Sequence, residues 1–458
     1  MRRAVRLKTL QSQLGALEIT RSVGRVTRVQ GGILQVTGLD HIARIGDRAE
    51  VSCRDGKVLK GEVIQLTPEG ITLLPDAAVD GVAMADRVVL TRGGTIAPDS
   101  SWVGRIIDPD GNPLDGAPVI SGALARPLRC APPAAATRKP MGARLNTGHI
   151  VFDTMLPIVR GQRVGLFAGS GVGKTSLMGE FAKRITADIV VIAMIGERGR
   201  EVRHFVDSVL GPEGRARTIV VAATSDQSPL MRRRCAWTAM AVAEHFRDQG
   251  LSVLFLADSI TRFAEAHREV AVAAGEAPVL RGFPPTTAHL IMSLCERAGP
   301  GSDTQGDITA VFSVLVAGSD MDEPIADILR GVLDGHVVLD RSIAERGRFP
   351  AVDVLRSVSR SLPAAATDEE NKTIAQIRKY FSTYAQNQMM ISAGLYTQGT
   401  DNEIDQAIQL FSPLDEAMAV AHDQDPAHSF DQIRLILRRT GRASNTKKAP
   451  MPMARQSS

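Results

Sequence analysis

The residues with the clearest chemistry form one run, Ala168-Gly169-Ser170-Gly171-Val172-Gly173-Lys174-Thr175. Closely spaced glycines let backbone N–H groups converge on phosphate oxygens. The lysine supplies a cation for β- and γ-phosphates, and the hydroxyl an oxygen for Mg2+. The apolar run Val164–Phe167 precedes the loop, and Leu177, Phe181 and Ile185 follow at helical spacing. A strand, a glycine loop and a helix N-terminus favour an anion at the junction, because the helix dipole points its positive end there. The first position is Ala168 rather than glycine, while the Gly-x-Gly-Lys-Thr centre is intact. Gly169, Ser170, Gly171, Val172, Gly173, Lys174 and Thr175 are therefore the candidate residues for binding the phosphates of ATP.

Hydrolysis needs carboxylates as well as a cradle. Val253-Leu254-Phe255-Leu256-Ala257-Asp258 is an apolar strand ending in an acid. Strand ends face the ligand in open α/β sheets, so Asp258 is placed to hold Mg2+ through water. The plainer alternative is a helix cap, a job that Ser259 also fits. A second apolar run, Ile189–Ile195, ends in Gly196-Glu197-Arg198-Gly199-Arg200-Glu201. A carboxylate here can orient and deprotonate the water that attacks the γ-phosphate. Taken alone, the same segment reads as a charged surface turn.

These groups need a scaffold. Apolar runs Val164–Ala168, Ile189–Ile195, Thr218–Ala223, Val253–Ala257 and Ile308–Val316 alternate with helical stretches over about 150–345. Near-continuous apolar strands between helices imply a parallel sheet covered on both faces. Upstream, residues 22–91 show short alternating runs broken by Gly31-Gly32, Gly38, Asp55-Gly56 and Pro68-Glu69-Gly70, which predicts a small β-barrel. Residues 92–145 read as a connector with a turn cluster at Asp108-Pro109-Asp110-Gly111-Asn112-Pro113. Beyond Leu362, the spacing of Ile374, Ile377, Tyr380, Phe381 and Tyr384, and of Phe430, Ile433 and Leu437, predicts helices over 367–440 and then a disordered tail.

The chain of 458 residues exceeds one ordinary core, and no apolar run nears the ~20 residues of a membrane span. The N-terminus has arginines without a following apolar stretch, which argues against a secretory signal. Cys53, Cys130, Cys235 and Cys295 are scattered, which disfavours a disulfide framework or zinc site and favours a reducing cytosol. Net charge is +4, unevenly placed: residues 1–30 hold seven basic residues and one acid, residues 432–458 seven and none, leaving 40 against 49 between them. Basic ends attract anionic lipid, nucleic acid or acidic protein. Leu7, Leu10, Leu14 and Leu17 predict an amphipathic helix over 4–18 that docks a partner, a membrane surface or its own domain. No Phe, Tyr or Trp precedes Trp102, and single-strand binding uses aromatic stacking, so no nucleic-acid partner is expected of the barrel.

Further segments follow in order: Asp258-Ser259-Ile260-Thr261-Arg262-Phe263, Arg281-Gly282-Phe283-Pro284-Pro285, Glu323-Pro324-Ile325-Ala326-Asp327, Gly331 to Arg341, Ala344-Glu345-Arg346-Gly347 and Ser357-Val358-Ser359-Arg360. With the cradle and the Glu197 segment, they resemble the catalytic subunits of the hexameric rotary-type ATPases, most closely the flagellar protein-export ATPases and their type III secretion relatives. The resemblance covers most of 90–362. It implies an α/β fold: a RecA-like P-loop ATPase core over 93–366, an N-terminal helix and small β-barrel over 1–92, and a helical C-terminal domain with basic tail over 367–458.

The resemblance also implies roles. Glu197 matches the catalytic glutamate, which noncatalytic relatives replace with Gln. Arg198 and Glu201 match residues supporting the phosphate and the metal's water shell, and Arg262 an arginine near the γ-phosphate. Arg360 matches an arginine finger inserted by a neighbouring subunit, which implies a homo-hexamer with ATP between subunits. Phe349 stands where the family places an aromatic near adenine, with core packing as the alternative. Implied cofactors are ATP and Mg2+. Implied partners are export-apparatus regulator and stalk proteins, export substrates and chaperones, and an anionic membrane surface, at the cytoplasmic face of the inner membrane. The implied activity is ATP hydrolysis that energises flagellar protein export. A virulence-type (injectisome) secretion ATPase, an ATP synthase catalytic subunit, a hexameric RNA translocase and a binding-only ring subunit are the alternatives. The sequence departs from the family at Thr286-Thr287-Ala288-His289 and at Gly306-Asp307, both outside the cradle.

Overall fold

The computed structural model describes residues 21–91, 93–279, 281–316 and 321–446. The amphipathic helix expected over 4–18, and the tail beyond 446, lie outside the described residues.

Six antiparallel strands close the barrel: β1 (Val23–Gln30), β2 (Ile33–Thr37), β3 (Arg48–Ser52), β4 (Val58–Thr67), β5 (Gly70–Pro75) and β6 (Arg87–Thr91), in the order β1-β2-β5-β4-β3-β6. Alternate residues point inward, so Val26, Leu34, Val36, Val51, Val63, Leu73 and Val88 fill the interior at 2% exposure or less. Gly31 and Gly32 turn β1 into β2 with φ of 59° and 78°, a two-residue turn that needs positive φ at both positions.

The connector is more ordered than its turn residues suggest. It holds β7 (Thr95–Ile96), β8 (Ile106–Ile107) and β9 (Arg126–Pro127). The Asp108 carboxylate accepts from the backbone N–H groups of Asp110 and Asn112 at 2.9 and 2.8 Å, which fixes the predicted turn cluster. A two-residue strand is too short to show a period, so β8 left no trace in the apolar pattern.

The core sheet comprises β10 (Arg163–Ala168), β11 (Ile189–Glu197), β12 (Thr218–Thr224), β13 (Val253–Asp258), β14 (Gly299–Pro300), β15 (Asp307–Leu315), β16 (Gly335–Leu339) and β17 (Val358–Ser359), joined by β8. Its order is β17-β16-β10-β15-β13-β11-β12-β8, parallel except at the β17 edge, with β14 paired antiparallel to β15. Successive residues of one strand serve opposite faces. Leu166, Ile192 and Leu254 enter one buried cluster, while Phe167, Val191 and Phe255 enter the other. The expected strands are present, and β16 is added between the cradle strand and the edge.

Three long helices follow, Asp368–Ser392, Asn402–Ala417 and Pro426–Thr446. The first opens with a capping box of Thr367 and Glu370. Ile374, Ile377, Phe381, Leu410, Leu414, Phe430 and Ile433 join the core cluster of the first sheet face, so these helices share apolar packing with the sheet. Among the described residues, no helix is long and apolar enough to cross a membrane.

The two family departures have local partners. The Asp307 carboxylate lies 3.3 Å from the Lys139 ammonium, tying the connector to the start of β15. The Thr286 hydroxyl bonds the His267 ring at 2.8 Å and the Glu276 carboxylate at 2.7 Å.

Candidate active site

β10 ends at Ala168 and the helix Lys174–Arg184 begins after the glycine loop. Gly171 and Gly173 have φ of 77° and 89°, conformations that side chains with a Cβ strain to adopt. Gly173 caps the helix with no side-chain acceptor, so the first-turn N–H groups remain open to an anion. Val172 is buried at 2%, anchoring the loop, while Ser170 and Thr175 present exposed hydroxyls.

Lys174 is 9% exposed, and its ammonium is ion-paired with the Asp258 carboxylate at the end of β13. The same Asp258 Oδ1 accepts from the Ser313 hydroxyl of β15 at 2.8 Å. Ser259, not Asp258, caps the next helix: its Oγ accepts from the Arg262 N–H at 3.3 Å. The capping role is thus taken, and Asp258 faces the cradle.

Glu197 ends β11. The β11–β12 register slips between Ile195 and Glu197, at Gly196 with φ of 71°. Such an irregularity re-aims the side chain that follows. The Glu197 carboxyl is pushed up to about 7, first by burial, then by the Asp258 charge and a hydrogen bond to Glu201. Glu201 is pushed down by that same bond and by Arg198, whose guanidinium lies 3.0 Å from it. The two carboxyls therefore favour opposite forms, Glu197 the protonated and Glu201 the ionised one. Arg262 folds over Gly196: a Cβ there would lie 3.5 Å from Arg262 Cβ and 3.4 Å from Arg232 Cδ. The Arg262 guanidinium itself sits on Glu265 at 3.0 Å.

Phe349 is 50% exposed, so core packing is not its role. Its ring borders the cradle, 3.2 Å from where a Cβ on Gly173 would stand. Arg360 lies elsewhere. Leu339 of β16 pairs with Ala168 at the cradle end, whereas Gly335 of β16 pairs with Ser359 of β17. The intervening steps of β16 span about 13 Å at ~3.3 Å per residue. The Arg360 guanidinium donates to the Arg330 carbonyl oxygen at 3.1 Å, away from its own cradle.

The donor set tests whether a divalent cation suits this place. Among the described residues, no group of three or more His, Cys, Asp or Glu could hold a metal ion. Mg2+ at nucleotide sites needs fewer: one or two carboxylates, phosphate oxygens and water. Asp258 is 5% exposed and its present cation is Lys174, which bound phosphate would draw away. A carboxylate so buried then requires another cation. With the Thr175 hydroxyl at the helix start, the residues fit Mg2+.

Sequence reasoning brought Lys174, Asp258, Glu197 and Glu201 to one place and Phe349 to its rim. It missed Ser313, whose hydroxyl reaches Asp258 across the sheet, and Arg232 over Gly196. Ser313 lies inside an apolar run, where a lone hydroxyl on a buried strand was the one available signal.

Comparisons with known proteins agree with this architecture. The ATP synthase alpha/beta family, nucleotide-binding domain, matches residues 148–359, and the T3SS EscN ATPase C-terminal domain matches 366–431. The flagellum-specific ATP synthase of Caulobacter vibrioides is 43% identical, covering 89% of this chain and 93% of that protein. That of Bacillus subtilis is 41% identical, covering 94% and 99%. The assembled ATPase EscN from the enteropathogenic E. coli type III secretion system superposes with a TM-score of 0.83 at 34% identity, over 90% of this chain and 100% of that one. A second EscN structure, in complex with its central stalk EscO, gives a TM-score of 0.81 at 33% identity, over 90% and 100%. Barrel, central sheet and C-terminal helices thus coincide with one lineage of ATP-hydrolysing enzymes, and the chain belongs to the family of flagellum-specific and type III secretion ATPases.

Proposed function

We propose that the chain is the Mg-ATP hydrolysing motor of a flagellar type III export apparatus, active as a homo-hexamer with ATP between subunits. The observation that carries the hydrolytic part is the convergence of Lys174, Asp258 and Glu197 beside the open N–H groups of the helix Lys174–Arg184. Identities of 43% and 41% with flagellum-specific relatives, against 37% with the type 3 secretion system ATPase of Xanthomonas euvesicatoria, support the flagellar assignment.

The residues act as follows. Backbone N–H groups of Gly169 to Thr175 and the Lys174 ammonium hold the β- and γ-phosphates. Lys174 leaves Asp258 as phosphate arrives, because both anions compete for one ammonium. Asp258 and the Thr175 hydroxyl would hold Mg2+, which when bound neutralises charge on the phosphates. Glu197 orients the attacking water and takes its proton, while Arg198 keeps Glu201 ionised beside it. Arg262 supports the γ-phosphate, and Phe349 lies against adenine. Arg360, remote from its own cradle, completes the site of the adjacent subunit.

This reading divides the chain into a unit over 1–92 that carries the barrel Val23–Thr91, an ATPase core over 93–366 and a unit over 367–458 that carries the three long helices. EscN is found with its stalk EscO, which supports a stalk partner for this chain too. The basic ends support attachment to anionic lipid at the cytoplasmic face of the inner membrane.

Subunit mixing tests the ring. Lys174→Ala and Arg360→Ala should each be nearly inactive alone, the latter with near-normal ATP affinity. Mixed, they should regain a measurable fraction of turnover, because an Arg360→Ala cradle meets an intact Arg360 from its neighbour. No regain on mixing, or a large affinity loss in Arg360→Ala, would refute a finger acting between subunits. Specific activity should also rise with protein concentration and with anionic vesicles.

A further inference from the structure

We propose that Arg348 and Asp415 form a clamp that positions Phe349, so that the C-terminal helices set the affinity of the site for the nucleotide base but not for its phosphates. The proposal rests on the reading of Phe349 as the residue beside adenine.

Half exposed, the Phe349 ring is not held by burial. Its neighbour Arg348 holds the turn instead. The Arg348 guanidinium donates to the carbonyl oxygens of Pro350 and Val352, each at 2.9 Å. These bonds tie Arg348, just before Phe349, to the chain just after it. The same guanidinium lies 3.1 Å from Asp415, and Arg346 approaches that carboxylate at 4.0 Å. Arg348 and Asp415 side chains are only 9% and 18% exposed, where salt screens weakly.

The two partners belong to different units. Phe349 follows the short helix Arg341–Glu345 of the sheet layer, whereas Asp415 sits on the helix Asn402–Ala417. A cleft of about 290 Å3 runs between them, lined by Arg348, Asp415, Tyr384 and Phe411 among others. Tyr384 and Phe411, which also line the cleft, stack with ring centroids 3.8 Å apart, Phe411 one helical turn before Asp415. Further along, Arg378 of the helix Asp368–Ser392 donates to the Val354 and Ser357 carbonyl oxygens at 3.1 and 3.3 Å. The segment after Phe349 is thus fastened to the helices, and Arg348 is the fastener next to the ring. A planar fork suits this task, since lysine offers no fixed pair of donors. Arg348 is a positioning residue, acting through Phe349.

The test compares a nucleotide with a ligand lacking a base. Full-length Asp415→Asn should raise the KM for ATP by ~5-fold or more, the lower range of coupling between distant groups. Turnover at saturation should change by less than ~2-fold, as expected when uniform binding is lost. Inhibition by inorganic tripolyphosphate should not change, because the cradle is untouched. Asp415→Glu should restore most of the ATP affinity. An unchanged KM, or equal weakening of ATP and tripolyphosphate, overturns the clamp. Should Asp415→Asn fail to fold, Arg348→Lys keeps the charge but cannot span both carbonyls, and the same outcomes decide. Phe349→Ala separates the two claims. If it leaves ATP affinity unchanged, the base reading has failed. If it weakens ATP while Asp415→Asn and Arg348→Lys do not, the clamp alone has failed.

Discussion

With Glu197 as the proposed general base, the reaction should depend on pH in a way an ordinary carboxylate would not produce. Its carboxyl is raised from 4.5 to about 7, by burial first and by Asp258 and Glu201 after it. The sign follows from the chemistry: only the ionised form can take a proton, so activity must fall as pH drops through the raised value. With a midpoint of about 7, the ionised fraction is roughly 1/11 at about pH 6 and 10/11 at about pH 8. The kcat/KM for ATP, which reports the free enzyme, should therefore rise ~10-fold across that interval. An unshifted glutamate would be almost fully ionised throughout and give a flat profile. The assay is phosphate release at ATP well below KM, with saturating Mg2+. Glu201→Gln supplies the control. Losing that neighbour removes one of the causes raising Glu197 but not the larger ones, so the midpoint should move down yet stay above the ordinary range. A midpoint that did not move would assign the titration to the nucleotide phosphate. Glu197→Gln should lose ~10²–10⁴ in turnover while binding ATP normally. A flat profile, an immobile midpoint in Glu201→Gln, or normal turnover in Glu197→Gln would refute the reasoning.

Two further outcomes are expected. Lys174→Ala should abolish tight Mg-ATP binding, measured by equilibrium titration with a fluorescent nucleotide, because the cradle loses its cation; unchanged affinity would remove the loop from the site. Glu244→Ala should cost ~3–5 kcal/mol in urea unfolding. Glu244 and Arg297 are 5% and 3% exposed and doubly bonded at 2.6 and 2.8 Å, so the truncation strands a buried guanidinium. A loss below ~1 kcal/mol would mean that the Leu128 carbonyl suffices as its partner.

Much of this protein is local and was legible as such. The cradle is one contiguous run, and its glycines, lysine and threonine need no distant partner to be recognised. Asp258 and Glu197 each end an apolar strand, and a parallel sheet carries all such ends to one edge. The barrel declared itself by alternation and paired glycines, and the C-terminal helices by their apolar stripes. Other features are properties of pairs far apart in the chain. The raised carboxyl of Glu197, at the end of β11, depends on burial and on Asp258, which ends β13. Ser313 reaches Asp258 because β13 and β15 are neighbours, a fact of strand order. β8 joins the sheet through two residues, too few for any period. Arg360 is remote from its own cradle because β17 runs antiparallel at the edge and meets the far end of β16. The Arg348–Asp415 pair exists because the helices return to the sheet. Periodicity and motif spacing determine elements and the residues at their ends, since those follow from short-range backbone geometry. Which ends meet, and what charge each group then carries, is decided by long-range packing and desolvation in the folded chain.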